Sequence, residues 1–361
     1  MAPIPMSSGP EGSDSSDTPA RTRVRLPGIS SRAYEHPADR SALVALRAIP
    51  GFDTLLKTLS GLFRERSHRY LYLATSVRVS EEQFPGIHRI WRESHEVLDI
   101  PGSTELYVAQ GPLVSSMTLG MDRPFVVVST ALLDLMDEEE LRFVLGHELG
   151  HVLSGHAVYR TMLLHLIRLS RRAVWFPIGY VGLRAIVLAL EEWFRKSELS
   201  CDRAGLLAGQ DVTAAQRSMM KLAGGARTWE MDADAFLRQA AEYESSGDLR
   251  DGVLKLLNLE GQQHPFAVLR GAEMAKWVES GSYRQILAGE YPLRSTDREA
   301  SFVDEAKEAA RAYKQSFDET TDPLLRTLRD LAGNLASTGA EAGQSLWDRL
   351  GRRGGGSAAG D

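Results

Sequence analysis

Residues 137–153 read DEEELRFVLGHELGHVL and decide the interpretation of the whole chain. Asp137 is followed three residues later by Glu140, the spacing of a capping box, in which each side chain accepts a hydrogen bond from the other residue's backbone N–H. Apolar residues then continue to Leu153. The sequence therefore predicts a helix that begins at Glu138 and ends near Leu153.

This predicted helix carries an HExxH motif. His147 and His151 are four residues apart, so their rings project from one helical face and can share one metal ion. Glu148 is rotated by about 100° from His147, beside the metal, where it can take a proton from a metal-bound water. The alternative is that both histidines are polar residues packed near a core, because short motifs also arise by chance.

A catalytic zinc site needs a third protein ligand. One known arrangement places a third histidine six residues after the second, with a glycine between, but here those positions hold Ala157 and Ser154. His156 lies nine residues from His147, which predicts a position near the opposite helical face. His165 lies roughly 27 Å along a continuous helix at 1.5 Å per residue. We interpret His156 and His165 as ordinary surface or core histidines.

The segment KSELSCDRA, residues 196–204, offers a better third ligand. Glu198 and Asp202 are one helical turn apart on one face. At this spacing Glu198 can bind zinc while Asp202 accepts a hydrogen bond from a ligating histidine and fixes its orientation. Glu191 and Glu192 are rival ligands, but neither has an acidic residue four positions further on. An acidic pair at this spacing is also common on a solvated helix face.

Together these motifs resemble a known family. HELGH at 147–151, SELSCDRAG at 197–205, and His264-Pro265 followed by Arg270 are similar to the gluzincin metallopeptidases grouped with the heat-shock protease HtpX and the CAAX prenyl endopeptidases. The resemblance covers roughly residues 25 to 270. It implies one Zn²⁺ per chain, a general base and a carboxylate behind a ligand. The residues implied are His147, His151 and Glu198 for zinc, Glu148 for the base and Asp202 for the supporting carboxylate.

The resemblance also implies a fold and an activity. The expected fold is α+β and mainly α-helical, a zincin-type domain with a small β-sheet beside the HExxH helix. Residues 117–119 or 125–129 are expected beside the cleft, where an extended substrate adds as a further strand. The expected activity is zinc-dependent endopeptidase hydrolysis of proteins or peptides, with a role in protein quality control.

The roles of three further residues in or near these motifs are less sharply defined by the sequence. His264 is a candidate catalytic donor to the oxyanion that forms on the attacked carbonyl, or a buried structural histidine packed by Pro265. Arg270 can orient a carboxylate, although a salt bridge is the favoured interpretation. Cys201 is interpreted as a small packing residue that is not required as a ligand.

The remaining sequence predicts further elements around this core. Short strands are predicted at 70–79, 105–109 and 125–129, and Thr130 is predicted to cap a short helix that ends at Met136. Helical spacing at 41–47 and 52–66, and again from Arg184 to about Leu287, predicts helices. The predicted domains are a disordered segment 1–24, the peptidase domain 25–299, a helical extension 300–350 and a disordered tail 351–361.

Composition excludes several classes of protein. The 361 residues carry a net charge of −6 with a pI near 5.9, so the chain has no basic surplus with which to bind nucleic acid. Its single cysteine excludes a disulfide framework and a CxxC site. Residues 1–25 do not have the pattern of a secretory signal, which predicts a cytoplasmic location.

The most apolar stretch is AVWFPIGYVGLRAIVLAL, residues 173–190. A single membrane span there would place the HExxH histidines and Glu198 on opposite sides of the bilayer. Two spans would need about 40 apolar residues, whereas residues 161–194 are fewer and are interrupted by four arginines. We therefore expect a helical hairpin, with peripheral membrane contact through residues 173–190 as the alternative.

Two rival functions stay open from the sequence. The first is a scaffold that binds partners through helices and in which zinc is structural or absent; a structural site would have four protein ligands. The second is a peptidase that is inhibited by its own extension, residues 300–350. The oligomeric state is not predicted.

Overall fold

The computed structural model describes residues 21–47, 66–120, 123–173, 177–245 and 266–297. Residues 1–20 and 351–361 of the predicted disordered ends, the predicted extension 300–350, most of the predicted helix 52–66, and His264 lie outside these residues. Residues 21–24 of the segment predicted to be disordered are described, and they contact the domain: Arg21 pairs with Asp211 at 3.0 Å, and Val24 N–H donates to Gln210 Oε1 at 2.9 Å. Within them the fold is mainly helical with a small mixed sheet, as predicted.

The described elements follow one another along the chain, with short 3₁₀ turns at Ser31–Ala33, Thr228–Glu230 and Arg294–Thr296. The helices are α1 (Pro37–Arg47), α2 (Arg66–Thr75), α3 (Pro85–Val97), α4 (Thr130–Leu135), α5 (Glu138–Leu153), α6 (His156–Ala173), α7 (Pro177–Gly209), α8 (Val212–Gly224), α9 (Ala233–Ser245), α10 (Ala267–Glu279) and α11 (Ser282–Leu287). The strands are β1 (Val77–Arg78), β2 (Glu105–Ala109), β3 (Ser116–Leu119) and β4 (Phe125–Ser129).

Helix α5 runs through the centre of the domain. The predicted capping box is present: Asp137 N–H donates to Glu140 Oε2 at 2.8 Å, and Glu140 N–H donates to Asp137 Oδ1 at 2.9 Å. The helix is apolar on most sides, and its residues 140–151 are all buried. The buried carboxylate of Glu140 also accepts from Arg217 at 2.9 Å and from Lys221 at 2.6 Å, which satisfies its charge.

Two glycines allow α5 and α7 to approach closely. A Cβ at Gly146 would clash with the Cβ of Ala208, and a Cβ at Gly150 would lie 2.7 Å from that of Ala204. Real Cβ atoms do not pack at such distances. Gly150 of HELGH and Gly146 just before it therefore allow the HExxH helix to pack closely against the helix that carries Glu198.

The sheet has the strand order β1-β2-β4-β3. β1 is antiparallel to β2, β2 is parallel to β4, and β4 is antiparallel to β3, with Ser116 opposite Val128 and Leu119 opposite Phe125. β4 is buried along its whole length and has a strand on both sides. β3 lies at one edge of the sheet, with β1 at the other, and packs beside α5. Of the two strands expected near the cleft, the edge position therefore belongs to β3.

The prediction of a strand at 70–79 is wrong. Residues 66–75 form helix α2, and only Val77 and Arg78 are extended. Tyr70, Leu71 and Leu73 are all at least half exposed, so the segment has no buried face of the kind that a strand in this sheet requires. Leucine, alanine and arginine favour a helix in the absence of such packing.

Other predicted boundaries agree closely. β2 and β4 occupy the predicted residues, whereas α4 is capped by Ser129, whose hydroxyl accepts from Leu132 N–H at 3.2 Å, rather than by Thr130. α7 begins at Pro177 instead of Arg184, which is consistent with the preference of proline for the first turn of a helix.

Helices α6 and α7 form the expected hairpin. They pack against each other and against α1 around a separate apolar cluster. Within the described residues, no helix is both long enough and apolar enough to cross a bilayer. The buried members of this cluster are Ala42, Leu46, Tyr159, Met162, Leu163, Leu166, Val187, Leu190 and Trp193.

Candidate metal centre

Helices α5 and α7 bring His147, His151 and Glu198 together. Nε2 of His147 lies 3.5 Å from Glu198 Oε2, and Nε2 of His151 lies 3.2 Å from Glu198 Oε1. One donor atom from each of the three residues lies within 4.8 Å of the other two. All three side chains are buried. The carboxylate and the two histidines predicted from separate parts of the sequence therefore face a single point.

This donor set fits zinc. Two imidazoles and one carboxylate are a known ligand set of catalytic zinc, with bonds of about 2.0–2.2 Å. Around a tetrahedral ion such bonds separate neighbouring donor atoms by about 3.3 Å. Each imidazole nitrogen lies at about this distance from a Glu198 oxygen, His151 at 3.2 Å from Oε1 and His147 at 3.5 Å from Oε2. The Nδ1 atoms of the two histidines contact Asp202 and His156 instead, so each Nε2 is the nitrogen that would bind the metal.

Behind His147 lies a pair of charged residues. Its Nδ1 lies 2.9 Å from Asp202 Oδ1, which is the contact expected from the spacing of Glu198 and Asp202. Arg270, from α10, donates through Nε to Asp202 Oδ2 at 2.7 Å and through an Nη to Oδ1 at 2.5 Å. Another Nη of Arg270 lies 3.1 Å from Glu198 Oε2. The favoured interpretation of Arg270, a salt bridge, therefore agrees with its position.

The charges of this cluster set the protonation of His147. Burial alone would lower the pKa of His147, but the negative charges of Glu198 and Asp202 outweigh it and raise the pKa to about 9. Burial would raise the pKa of Glu198, but Arg270 and His147 hold it well below its usual range. Without a metal, a proton on His147 and the guanidinium of Arg270 thus compensate two buried carboxylates. A divalent cation can take the place of that proton.

Behind His151 lies His156, which was predicted near the opposite helical face. That prediction is wrong, because α5 ends at Leu153 and the chain reverses through Gly155, whose φ is +70°. α6 then begins at His156, and its Nδ1 lies 3.3 Å from Nδ1 of His151. A glycine just after a helix is a common stop signal, so Gly155 is the signal that could have revealed this turn.

His156 has further buried neighbours. Its Nε2 lies 3.5 Å from Asp39 Oδ2 of α1, and Cys201 Sγ lies 3.5 Å from its Nδ1. Burial lowers the pKa of His156 to about 3 and that of His151 to about 4. Both rings are therefore neutral, unlike His147. Cys201 is fully buried, in keeping with its interpretation as a packing residue, and burial raises the pKa of its thiol well above its usual range.

The carboxylate of Glu148 is held by the edge strand β3. Its Oε1 accepts from the Ser116 hydroxyl at 2.6 Å, and its Oε2 accepts from the Thr118 hydroxyl at 2.6 Å. Burial would raise the pKa of Glu148, but electrostatic interactions with His151, Arg160 and His147 and the hydrogen bond from Ser116 lower it overall. The carboxylate is therefore ionised, as a proton acceptor must be.

Sequence reasoning missed the two hydroxyls that hold Glu148. Ser116 and Thr118 are two residues apart in a strand, so both side chains point to the same face, and that face meets α5. The rival ligand Glu192 forms ion pairs with Arg195 and Lys196 instead of joining the donor atoms. His264 lies outside the described residues.

Comparison with known proteins agrees with this geometry. Residues 81–278 match the sequence profile described as peptidase family M48, and this range contains every donor atom of the site. No solved structure gives a significant match to the chain.

Two kinds of curated relative resemble the chain. The plastoglobule-localized metallopeptidase 48 of Arabidopsis thaliana chloroplasts is 34% identical over 283 residues, covering 74% of this chain and 81% of the relative. Protease HtpX of Xanthomonas oryzae pv. oryzae is 27% identical over 254 residues, covering 61% of this chain and 83% of the relative. Protease HtpX of Xanthomonas axonopodis pv. citri is also 27% identical, over 234 residues, covering 56% and 78%.

Proposed function

The chain belongs to peptidase family M48 and is a zinc-dependent protease that acts on proteins or peptides; within that class we propose that it is an endopeptidase whose single zinc is held by His147, His151 and Glu198. The observation that carries this assignment is the convergence of two imidazole Nε2 atoms and one carboxylate in a buried site between α5 and α7.

The zinc would polarise the scissile carbonyl and lower the pKa of a water molecule at the site. Glu148 is the residue that takes the water proton and passes it to the leaving nitrogen, a general acid–base role. Its carboxylate is ionised and held at both oxygens by Ser116 and Thr118. A hydroxyl can turn from donor to acceptor, so a protonated Glu148 keeps a partner in either state.

The position of β3 supports cleavage of internal peptide bonds. β3 is the edge of the sheet, and among the described residues β4 is its only strand partner. An extended substrate can pair with this edge as a further strand. Because Ser116 and Thr118 of the same strand contact Glu148, a substrate paired there would run past the catalytic carboxylate in both directions.

A scaffold with structural zinc is the alternative. Structural sites are closed by four protein ligands, whereas catalytic sites have three and an open position. The group formed by His147, His151 and Glu198 supplies three donors, and the other nitrogens of its histidines are engaged by Asp202 and His156. This arrangement supports the enzyme over the scaffold.

Substitution Glu148→Gln tests the proposed mechanism. We expect the variant to retain about one zinc per chain and to lose casein cleavage by about 10²- to 10⁴-fold, because only the proton acceptor is removed. Glu138→Gln is the matched control, since it removes the same charge from the exposed first turn of the same helix. Full zinc content with undiminished cleavage in Glu148→Gln would contradict the assigned role.

A peptide with both ends blocked separates endopeptidase from exopeptidase activity. We expect cleavage within an acetylated and amidated peptide at a rate similar to that for the free peptide. Cleavage that requires a free terminus would limit the enzyme to exopeptidase activity while leaving the metal site in place.

Four further predictions stay predictions. Truncation after Thr296 tests whether residues 300–350 inhibit the enzyme, and an unchanged rate of casein cleavage would argue against inhibition. Flotation with lipid vesicles tests membrane contact through residues 173–190. The role in protein quality control and the cytoplasmic location need measurement in cells.

A further inference from the structure

We propose that His156 and Asp39 are positioning residues that orient the metal ligand His151, through a hydrogen bond between the two histidines and a polar contact between His156 and Asp39. This inference rests on the proposed function, because it concerns the ring that would bind zinc. We call the path from His151 through His156 to Asp39 the histidine relay.

Proton positions along the relay follow from the donor role of His151. If Nε2 of His151 binds a metal, the neutral ring carries its proton on Nδ1. That N–H faces Nδ1 of His156, with 3.3 Å between the two nitrogens, so Nδ1 of His156 must accept the hydrogen bond. The proton of His156 then sits on Nε2, which faces the carboxylate of Asp39 at 3.5 Å. Each group thus has a partner of the right kind.

The three side chains of the relay are buried among the described residues. His151, His156 and Asp39 are each less than 5% exposed, so no bulk water competes for these polar contacts. The Ser200 hydroxyl donates to Asp39 Oδ2 at 2.6 Å and ties it to α7. Trp193 packs edge-on against the His156 ring, with centroids 5.2 Å apart. Both far members of the relay are therefore fixed in place.

Metal ligands of this type usually donate their second ring N–H to a carboxylate, a carbonyl or water. His147 does so directly to Asp202, whereas His151 reaches its carboxylate through another histidine. Asp39 belongs to α1, which precedes the residues that match the family profile. The relay thus makes the affinity for zinc depend on a helix that lies outside the matched range.

Cys201 offers a rival explanation for the same cluster. Its Sγ lies 3.5 Å from His156 Nδ1, and His151, His156 and Cys201 have donor atoms within 4.8 Å of one another. They could bind a second metal ion. The relay needs no ion, because Nδ1 of His151 and Nδ1 of His156 satisfy each other. The thiol is not part of the relay, so its substitution separates the two explanations.

The test is the zinc dissociation constant of the full-length protein, measured by competition with a chromogenic chelator under reducing conditions. We expect His156→Phe to weaken zinc binding by about 10- to 100-fold, the usual cost of removing such a supporting partner. His156→Asn places an amide oxygen near the position of Nδ1 and should recover most of the affinity. Asp39→Asn should weaken binding less than His156→Phe, and Cys201→Ser should leave both affinity and zinc content unchanged.

Thermal unfolding of the metal-free variants separates positioning from a general structural role. A structural role alone would lower the melting temperature without changing the zinc affinity of the folded protein. Unchanged zinc affinity in folded His156→Phe and Asp39→Asn would overturn the relay and leave the proposed function intact. Loss of a second zinc in Cys201→Ser would also overturn it, in favour of a second metal site. A wild type that binds no zinc would overturn the proposed function and the relay together.

Discussion

The two turns of α5 that carry the HExxH histidines have the same local sequence and different surroundings. Gly146-His147 and Gly150-His151 each present a glycine to α7 and an imidazole to Glu198. His147 is backed by two charged residues, Asp202 and Arg270, which come from α7 and α10. His151 is backed by the neutral ring of His156 and, beyond it, by Asp39 of α1.

The difference shows how one motif holds one ligand charged and the other neutral. Beside two carboxylates the pKa of His147 rises to about 9, whereas burial lowers the pKa of His151 to about 4. Before metal binds, His147 therefore carries a positive charge and His151 does not. The positive charge on His147 stabilises the buried carboxylates of the metal-free site. The neutral ring of His151 keeps one unprotonated nitrogen that can bind the metal.

The largest loss of stability is expected from substitution of Arg270, the cation behind His147. Arg270→Gln removes the cation that faces Asp202 and Glu198, and breaking a buried pair in this way costs about 3–5 kcal/mol because the remaining charges stay buried. We expect urea unfolding of the metal-free protein to show a loss of this size.

Arg294→Gln is the control for this comparison. Arg294 lies 2.7 Å from Asp99, about as close as Arg270 to its partners, but the pair is partly exposed. Exposed pairs are worth about 0–1 kcal/mol. Equal losses of unfolding free energy in the two variants would show that burial does not strengthen the ion pairs of Arg270 behind His147.

Close packing against α7 gives the next effect. Gly146→Ala adds a methyl group that clashes with Ala208, which should reduce the free energy of unfolding by about 1–3 kcal/mol. Gly150→Ala should cost less, since its Cβ would lie 2.7 Å from that of Ala204. The exchange Gly146→Ala with Ala208→Gly should recover most of the loss in urea unfolding. Failure of the exchange to recover stability would locate the strain elsewhere.

The smallest effect concerns the two supporting carboxylates. Asp202→Asn should weaken zinc binding by about 10- to 100-fold, because Asp202 contacts His147 directly. Asp39→Asn should have a smaller effect, because Asp39 acts through His156 at 3.5 Å. The same competition titration measures both, and a larger loss in Asp39→Asn would reverse the proposed ranking.

Much of this architecture follows from local sequence. The capping box sets the start of α5, the four-residue spacing of HExxH and ExxxD places the donors on single helical faces, and the β-branched run 125–129 marks a buried strand. Each of these signals depends on neighbours within one turn or one strand. The contact between Asp202 and His147 was expected for the same reason, once the two helices were placed side by side.

The partners that escaped prediction come from elsewhere in the chain. His156 was misplaced because its helical face was counted from His147 as if the helix were continuous, whereas α5 ends at Leu153 and the chain turns at Gly155. Ser116 and Thr118 reach Glu148 only because β3 packs against α5. Asp39 is more than a hundred residues from His156. Such contacts depend on tertiary packing, which local spacing does not contain.

X-ray absorption at the zinc K edge of the purified wild-type protein tests the central claim most directly. Zinc held by His147, His151 and Glu198 predicts a first shell of nitrogen and oxygen at about 2.0–2.2 Å, with imidazole scattering from two histidines and no sulfur. A sulfur neighbour at about 2.3 Å would instead place the metal on Cys201 with His151 and His156, and would contradict the account.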